Sequence, residues 1–133
     1  MRLLIGFAVG WLAGCDDYIF GEQVVLEDEV PALAGIDGVL EVVDRECLGC
    51  HSEAQQLGDL DLETDFQGST VGVIGRYALP IIIPGDPENS VLYQKITATQ
   101  GDLGGGMPTP EGLPQPVTDI FFDWILSLEA PPE

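Results

Sequence analysis

Apolar residues recur at helical spacing in two long stretches of the chain, each interleaved with polar or acidic positions. The first stretch predicts an amphipathic helix over about 34–50, with an apolar face made of Ile36, Val39, Leu40, Val43 and Cys47. The second stretch begins at Pro114 and Pro116 and predicts a closing helix that ends before Pro131. Its wide apolar stripe consists of Val117, Ile120, Phe121, Trp124, Ile125 and Leu128.

Shorter elements lie between these two helices. Asp86-Pro87 is typical of a helix start, with a capping acid followed by proline, and predicts a helix over about 87–98. The apolar face of that helix would consist of Val91, Leu92, Lys95 and Ile96. Residues 64–72 predict a short helical turn, and residues 76–83 an apolar loop. Strand signals are weak, so we expect a mainly α domain.

The segment Cys47-Leu48-Gly49-Cys50-His51 is the most chemically specific part of the chain. C-x-x-C-H is the pattern of c-type haem attachment, in which two thiols add to the haem vinyl groups as thioethers and the histidine binds the iron. Two intervening residues set the thiols about one helical turn apart. His51 is the only histidine of the chain. The pattern therefore predicts one covalent haem c with His51 as an iron ligand.

Three other interpretations of Cys47 and Cys50 stay open on the sequence alone. A structural zinc site normally takes four protein ligands, and no second cysteine or histidine pair is present to complete it. A thioredoxin-like redox pair needs a βαβ context, which is not visible here. A disulfide between the two cysteines, formed in an oxidising compartment, is the third alternative. The adjacent histidine favours haem attachment over all three.

The first fifteen residues have the composition of an export signal. Arg2 is followed by a short apolar run that is too short to span a membrane and that ends in small residues. Its end, Leu12-Ala13-Gly14-Cys15, resembles the lipobox of bacterial lipoproteins, which implies cleavage before Cys15 and lipidation of its sulfur. An ordinary secretory signal with a stray cysteine is the alternative. The chain then divides into a lipoprotein signal peptide (1–14), an acidic tether (15–32) and a haem domain (33–130).

Charge restricts the partners of this chain. It has 23 acidic and 4 basic residues among 133, for a net charge of −19. Such a surface repels phosphate groups, so nucleic acid is excluded as a partner, and it favours a protein with a basic docking surface. The 17 glycines and 10 prolines leave a thin core for one domain. A covalently held porphyrin would give short helices an apolar centre on which to pack.

Met107 lies between the glycine-rich segment 101–106 and Pro108, and it is the only methionine besides Met1. Iron in electron-carrying cytochromes c is held by histidine and methionine. Glycines let a backbone approach the porphyrin closely, whereas core packing, the usual role of methionine, explains a residue in such a loop poorly. Met107 is therefore the predicted distal ligand, with Lys95 or an open, water-filled position as the alternatives.

Other side chains carry weaker signals. Arg76 is expected either to pair with a haem propionate or to be an ordinary surface arginine. Tyr77 and Tyr93 are further candidates for hydrogen bonds to propionates. Phe121 and Trp124 are expected to belong to the core beneath the haem.

The order of these motifs resembles the class I cytochrome c fold, and more closely the short planctomycete-type cytochrome c domains of bacteria. The resemblance implies a mainly α domain of about three to four helices wrapped around one covalent haem. It also implies that Cys47 and Cys50 attach the haem, with His51 proximal and Met107 distal. The segments that carry the resemblance are 47–52, 60–62, 83–93, Met107-Pro108 and Trp124-Ile125.

The first helix departs from the class I pattern at two positions. Many members cross the first and last helices through a glycine and an aromatic residue, and Val39 and Val43 stand there instead.

These features predict a membrane-anchored monohaem cytochrome c that carries single electrons between extracytoplasmic redox partners. It would be no enzyme itself, although it could serve as a subunit of a larger oxidoreductase. Through Cys15 it would be anchored to a bacterial membrane, on the periplasmic side or at the cell surface. Two other functions stay open: a haem-based sensor or ligand-binding module with an open sixth position, and a non-haem extracytoplasmic interaction lipoprotein with disulfide-bonded cysteines.

Overall fold

Five α-helices follow one another along residues 34–130, the part of the chain that this computed structural model describes. They are α1 (Gly35–Glu46), α2 (Leu48–His51), α3 (Phe66–Thr70), α4 (Val91–Ile96) and α5 (Gln115–Ser127), with a 3₁₀ turn at Leu57–Asp59 between α2 and α3. Within this range the only β contacts are isolated bridges. The mainly α prediction is therefore confirmed, with five helices rather than three to four.

The predicted signal peptide (1–14) and the predicted acidic tether (15–32) lie outside the described residues. None of the five described helices is both long enough and apolar enough to cross a membrane.

Helices α1 and α5 pack against each other and supply most of the core. On α1, Val39 and Val42 are fully buried, and on α5 Phe121 and Ile125 are buried against them. Burying a side chain of this kind stabilises the fold by about 1.5–3 kcal/mol relative to leaving it in water. The first and last helices therefore meet in this domain although valines occupy the positions of the class I glycine and aromatic residue.

The buried face of α1 differs by one residue from the predicted face. Leu40, predicted on the apolar face, is 41% exposed, whereas Val42, not included in that face, is fully buried. Successive residues of a helix are separated by about 100° around its axis. Val42 and Val43 therefore lie on either side of Val39 within about 60° of it. Leu40 lies about 100° away, at the edge of the face that meets α5.

The predicted helix over 34–50 is interrupted at Cys47, which separates α1 from α2. Cys47 has φ −112°, well away from the value of about −63° in an α-helix. Its N–H still donates to the carbonyl of Val43 over 2.9 Å, and its own carbonyl accepts from the N–H of His51 over 3.0 Å. Backbone hydrogen bonding thus continues across the interruption at Cys47, and the C-x-x-C-H segment lies at the end of α1 and on the short helix α2.

Helix α4 begins later than the Asp86-Pro87 pair predicts. The Asp86 carboxylate accepts from the side-chain amide of Asn89 over 2.8 Å and from its backbone N–H over 3.3 Å. The N–H of Ser90 donates to the carbonyl of Pro87 over 3.0 Å. These bonds close a turn of the kind that aspartate favours. The helix therefore starts at Val91 and ends at Ile96, which makes the prediction of 87–98 too long.

Helix α3 confirms the short helical turn predicted over 64–72. Asp65 precedes it and accepts from the N–H of Gly68 over 2.9 Å, which satisfies one of the free donors at the helix start. Phe66 then packs against Trp124 with ring centroids 5.6 Å apart and planes inclined at 41°. Trp124 is thus a core residue, as expected.

Candidate functional site

A cavity of about 740 Å³ opens between α2 and the segments that face it. Its wall brings together Cys47, Cys50, His51 and Met107, the four predicted site residues, although Met107 is distant from the others in sequence. The volume is within the range of about 300–1,000 Å³ typical of cofactor sites. Much of the remaining wall is apolar and includes Val43, Leu60, Leu62, Ile81, Leu92 and Phe121.

Helix α2 places His51 on the cavity wall and holds it through the backbone. The N–H of His51 donates to the carbonyl of Cys47 over 3.0 Å, and its carbonyl accepts from the N–H of Leu62 over 2.8 Å. The ring atom Nδ1 is buried and has no hydrogen-bond partner among the described residues. A neutral imidazole can bind a metal through a ring nitrogen, so His51 is available as an iron ligand.

The two cysteines are free thiols in this structure, Cys47 partly buried and Cys50 exposed. Burial raises the pKa of Cys47 to about 12, with smaller contributions from the nearby Glu46 and Cys50. Cys47 is consequently a thiol at neutral pH, the opposite of the lowered pKa that activates a redox cysteine. Residues 34–130 form no βαβ unit, so this part of the chain lacks the context that a thioredoxin-like pair needs.

Met107 lies at the edge of the cavity and is 40% exposed. Its backbone N–H donates to the carbonyl of Lys95 at the end of α4 over 2.8 Å. Gly104, three residues earlier, has φ +86°, a conformation that favours glycine. A methionine that served to fill the core would be buried. The exposure of Met107 on the cavity wall therefore favours the ligand interpretation over packing.

The donor set of this cavity fits haem c. Two thiols at C-x-x-C spacing, an imidazole and a thioether line one largely apolar cavity, and these are the groups that would hold a covalent haem and its iron. A structural zinc site would instead use four protein ligands in a closed shell. Over residues 34–130, no group of three or more His, Cys, Asp or Glu is arranged to hold a metal ion.

Comparison with protein families adds an independent observation. Residues 47–111 match the model of the family described as Planctomycete cytochrome C. This segment is a cytochrome c-like domain. The match begins at Cys47 and includes Cys50, His51 and Met107. The family implies haem binding, with haem c as the cofactor, and electron transfer by a carrier rather than an enzyme. Neither the curated proteins nor the solved structures contain a match to the chain.

Lys95 has a role in this cytochrome c-like domain that the sequence analysis missed. From the sequence, Lys95 is predicted to lie on the apolar face of a helix, and its only predicted chemical role is that of an alternative iron ligand. In the structure the side chain is 8% exposed, and its Nζ donates to the carbonyls of Leu103 and Gly105. The available signal was its spacing. Lys95 follows Val91 by four positions and Leu92 by three, so it shares their apolar face on the helix.

Arg76 and Tyr77 line the same cavity of the cytochrome c-like domain, with the Arg76 guanidinium carbon 5.9 Å from the centroid of the Tyr77 ring. Among the described residues the one ion pair joins Arg45 to Glu41, so Arg76 has no carboxylate partner there. Its place on the wall is compatible with a propionate partner. Tyr93 does not line the cavity, because its ring packs against Phe122 with centroids 5.7 Å apart.

Proposed function

We propose that this chain is a membrane-anchored monohaem cytochrome c that carries single electrons between redox partners outside the cytoplasm. The observation that carries the proposal is the meeting of Cys47, Cys50, His51 and Met107 on one apolar cavity. The family match over residues 47–111 also supports haem binding and electron transfer.

Each of the four residues has one task in this proposal. Cys47 and Cys50 would hold the haem through thioethers, made by adding each S–H across a vinyl group, and His51 on α2 and Met107 on the loop would hold the iron. When bound, haem c supplies reversible one-electron exchange between Fe(III) and Fe(II). The neutral thioether of Met107 favours the reduced state more than a harder or anionic ligand would. The apolar wall excludes water from this exchange.

A single haem and a carrier role follow from the number of ligands. The chain has one C-x-x-C-H segment and one histidine. His51 and Met107 both line the cavity and would together hold the iron, which fits a carrier better than a site that binds a substrate. If both residues hold the iron in both oxidation states, the structural change on electron transfer would be small.

The proposed anchor depends on residues that precede the described part of the chain. Thioether attachment of haem takes place outside the cytoplasm, so an export signal at 1–14 and the C-x-x-C-H segment support each other. Cys15, at the end of the lipobox-like segment, would carry the lipid, and several acyl chains together hold a protein stably on a membrane. The acidic residues 16–32 would then act as a tether between the membrane and the haem domain.

The proposed partners are redox proteins with a basic docking surface. A net charge of −19 steers such partners towards the chain and repels nucleic acid. Steering of this kind weakens as ionic strength rises, since salt screens exposed charges beyond about 8 Å at physiological concentration.

The decisive experiment expresses the full chain in a bacterial host that attaches c-type haem. We expect a membrane protein with a haem stain that survives denaturing electrophoresis, and with a mass increase equal to one haem plus a lipid anchor. The double variant Cys47→Ser/Cys50→Ser should lose the covalent stain, whereas the control Ser52→Ala, next to the motif, should keep it. A colourless wild-type protein without added haem mass would contradict the proposal.

A further inference from the structure

Lys95 is the most deeply buried basic side chain among the described residues, and its surroundings are unusual for a lysine. Lysine is almost never buried unless its charged group has partners. Here Nζ donates to the carbonyls of Leu103 and Gly105, the latter over 3.1 Å, and approaches the Tyr77 hydroxyl at 3.4 Å. Nζ also lies 5.1 Å from the centroid of the Tyr77 ring. Backbone carbonyls and an aromatic ring thus take the place of a carboxylate.

The backbone of Lys95 binds the same loop as its side chain does. Its carbonyl accepts from the N–H of Met107 over 2.8 Å. Lys95 therefore contacts the loop at three alternate residues, 103, 105 and 107. Among the described residues, every hydrogen bond that joins segment 100–107 to the rest of the domain runs to Lys95. The bond from Gln100 to the Gly104 carbonyl lies within the loop and does not attach it to α4.

The loop is shaped to receive the lysine head group. A Cβ atom at Gly104 would lie 3.2 Å from both Lys95 Nζ and the Tyr77 hydroxyl. That separation is tighter than an ordinary van der Waals contact, so the glycine makes room for the head group between the loop and Tyr77. Gly104 also adopts φ +86°, which other residues reach only with strain.

From these contacts we infer that Lys95 is a positioning residue that holds the 100–107 loop in the geometry presenting Met107 to the iron. The inference rests on the proposed function, since it concerns the sixth ligand of a haem. Lys95 does not bind the iron in this arrangement, because its Nζ is already engaged by the loop it supports. Without that side chain, the loop would spend a larger fraction of time away from the iron.

Imidazole added to the ferric holoprotein measures this fraction directly. Imidazole binds the iron only in molecules whose Met107 is away from the iron. Its apparent dissociation constant therefore falls as the fraction of such molecules rises. We expect Lys95→Met, which keeps the length of the side chain and removes its donors, to bind imidazole at least tenfold more tightly. Arg45→Met is the matched control, because it removes an exposed basic residue of α1 instead, and it should leave the affinity unchanged.

Met107→Ala completes a double-mutant cycle that separates positioning from a general loss of stability. This variant opens the sixth position by itself, so it should bind imidazole tightly whether or not Lys95 is present. Addition of Lys95→Met to Met107→Ala should therefore produce no further gain. A gain of equal size in both backgrounds would show that Lys95 acts on the haem pocket generally, which would overturn the inference.

The remaining outcomes distinguish the two proposals. An unchanged imidazole affinity in Lys95→Met, with tight binding in Met107→Ala, would refute the role of Lys95 and leave Met107 as the ligand. Unchanged affinity in Met107→Ala would instead refute the proposed ligand set. If Lys95→Met fails to assemble with haem, Lys95→Gln takes its place, because it removes the charge and retains an amide donor. Its affinity should lie between wild type and the expected tenfold gain, and a wild-type value would overturn the inference.

Discussion

The backbone N–H of Leu62 donates to the carbonyl oxygen of His51 over 2.8 Å, and this bond ties the chain after the 3₁₀ turn to the helix that carries the proposed iron ligand. The side chain of Leu62 is 5% exposed and packs in the core, so one residue joins α2 to the hydrophobic centre of the domain. The position of His51 therefore depends on tertiary packing as well as on the C-x-x-C-H segment.

Leu62→Ala should consequently destabilise the holoprotein. Truncation of a buried leucine costs about 2–5 kcal/mol, because transfer free energy is lost and a cavity remains. Leu126→Ala is the control, since Leu126 is 54% exposed and lies outside the cavity wall. Its truncation should change stability by about 0.5 kcal/mol or less. Denaturant unfolding of both variants measures the difference, and equal effects would contradict the packing described here.

Met107→Ala should change the electronic state of the haem. With the thioether removed, a low-spin six-coordinate iron is expected to become high-spin or water-bound. The midpoint potential should fall by on the order of 0.1 V, given that axial ligands set haem potentials over about 0.8 V. Absorption spectra in both oxidation states and a redox titration provide the readouts, with the exposed Leu126→Ala as the control. A wild-type protein that is already high-spin would favour the sensor with an open sixth position.

Acid stability should depend on Asp61. Its carboxylate accepts from the Thr64 hydroxyl and from the N–H of Glu63, and these bonds hold the pKa of Asp61 below its usual range. Because the pKa is lowered on folding, the stabilisation is present above the ordinary carboxyl pKa and is lost as pH falls through the lowered value. Asp61→Asn should therefore lose less unfolding free energy than wild type between about pH 5 and pH 2.

The control for this pH effect is Asp59→Asn, two residues earlier on the same segment, which should follow the wild-type curve. Unfolding of the holoprotein by denaturant at each pH gives the curves. Identical pH dependence in wild type and Asp61→Asn would show that the Asp61 hydrogen bonds do not contribute.

Cys15→Ser should release the protein from the membrane without affecting the haem. Loss of the proposed lipid-bearing sulfur prevents acylation, and a protein without acyl chains has no stable hold on a bilayer. Fractionation of cells followed by a haem stain measures both properties at once. Asp17→Asn, close to the same position, should leave the protein on the membrane. Retention of Cys15→Ser in the membrane fraction would point to an uncleaved signal or to a protein partner instead.

The sequence alone determined those features that depend on neighbouring residues. The C-x-x-C-H order specifies its chemistry over five consecutive positions, and helical periodicity located α1 and α5, because side chains three or four residues apart share a face. Met107 could be proposed as a ligand because it is the only methionine after Met1 and lies in a glycine-rich loop, where core packing explains it poorly.

Tertiary structure decided what depends on contacts between distant segments. The position of α5 determines that Val42 of α1 is buried and Leu40 is not. The late start of α4 arises because Asp86 bonds to Asn89 and closes a turn. The contact between Lys95 and the 100–107 loop joins α4 to a segment without helical periodicity, so the sequence pattern does not predict it. Periodicity describes one face of one helix, whereas these contacts exist only once several segments share the same space.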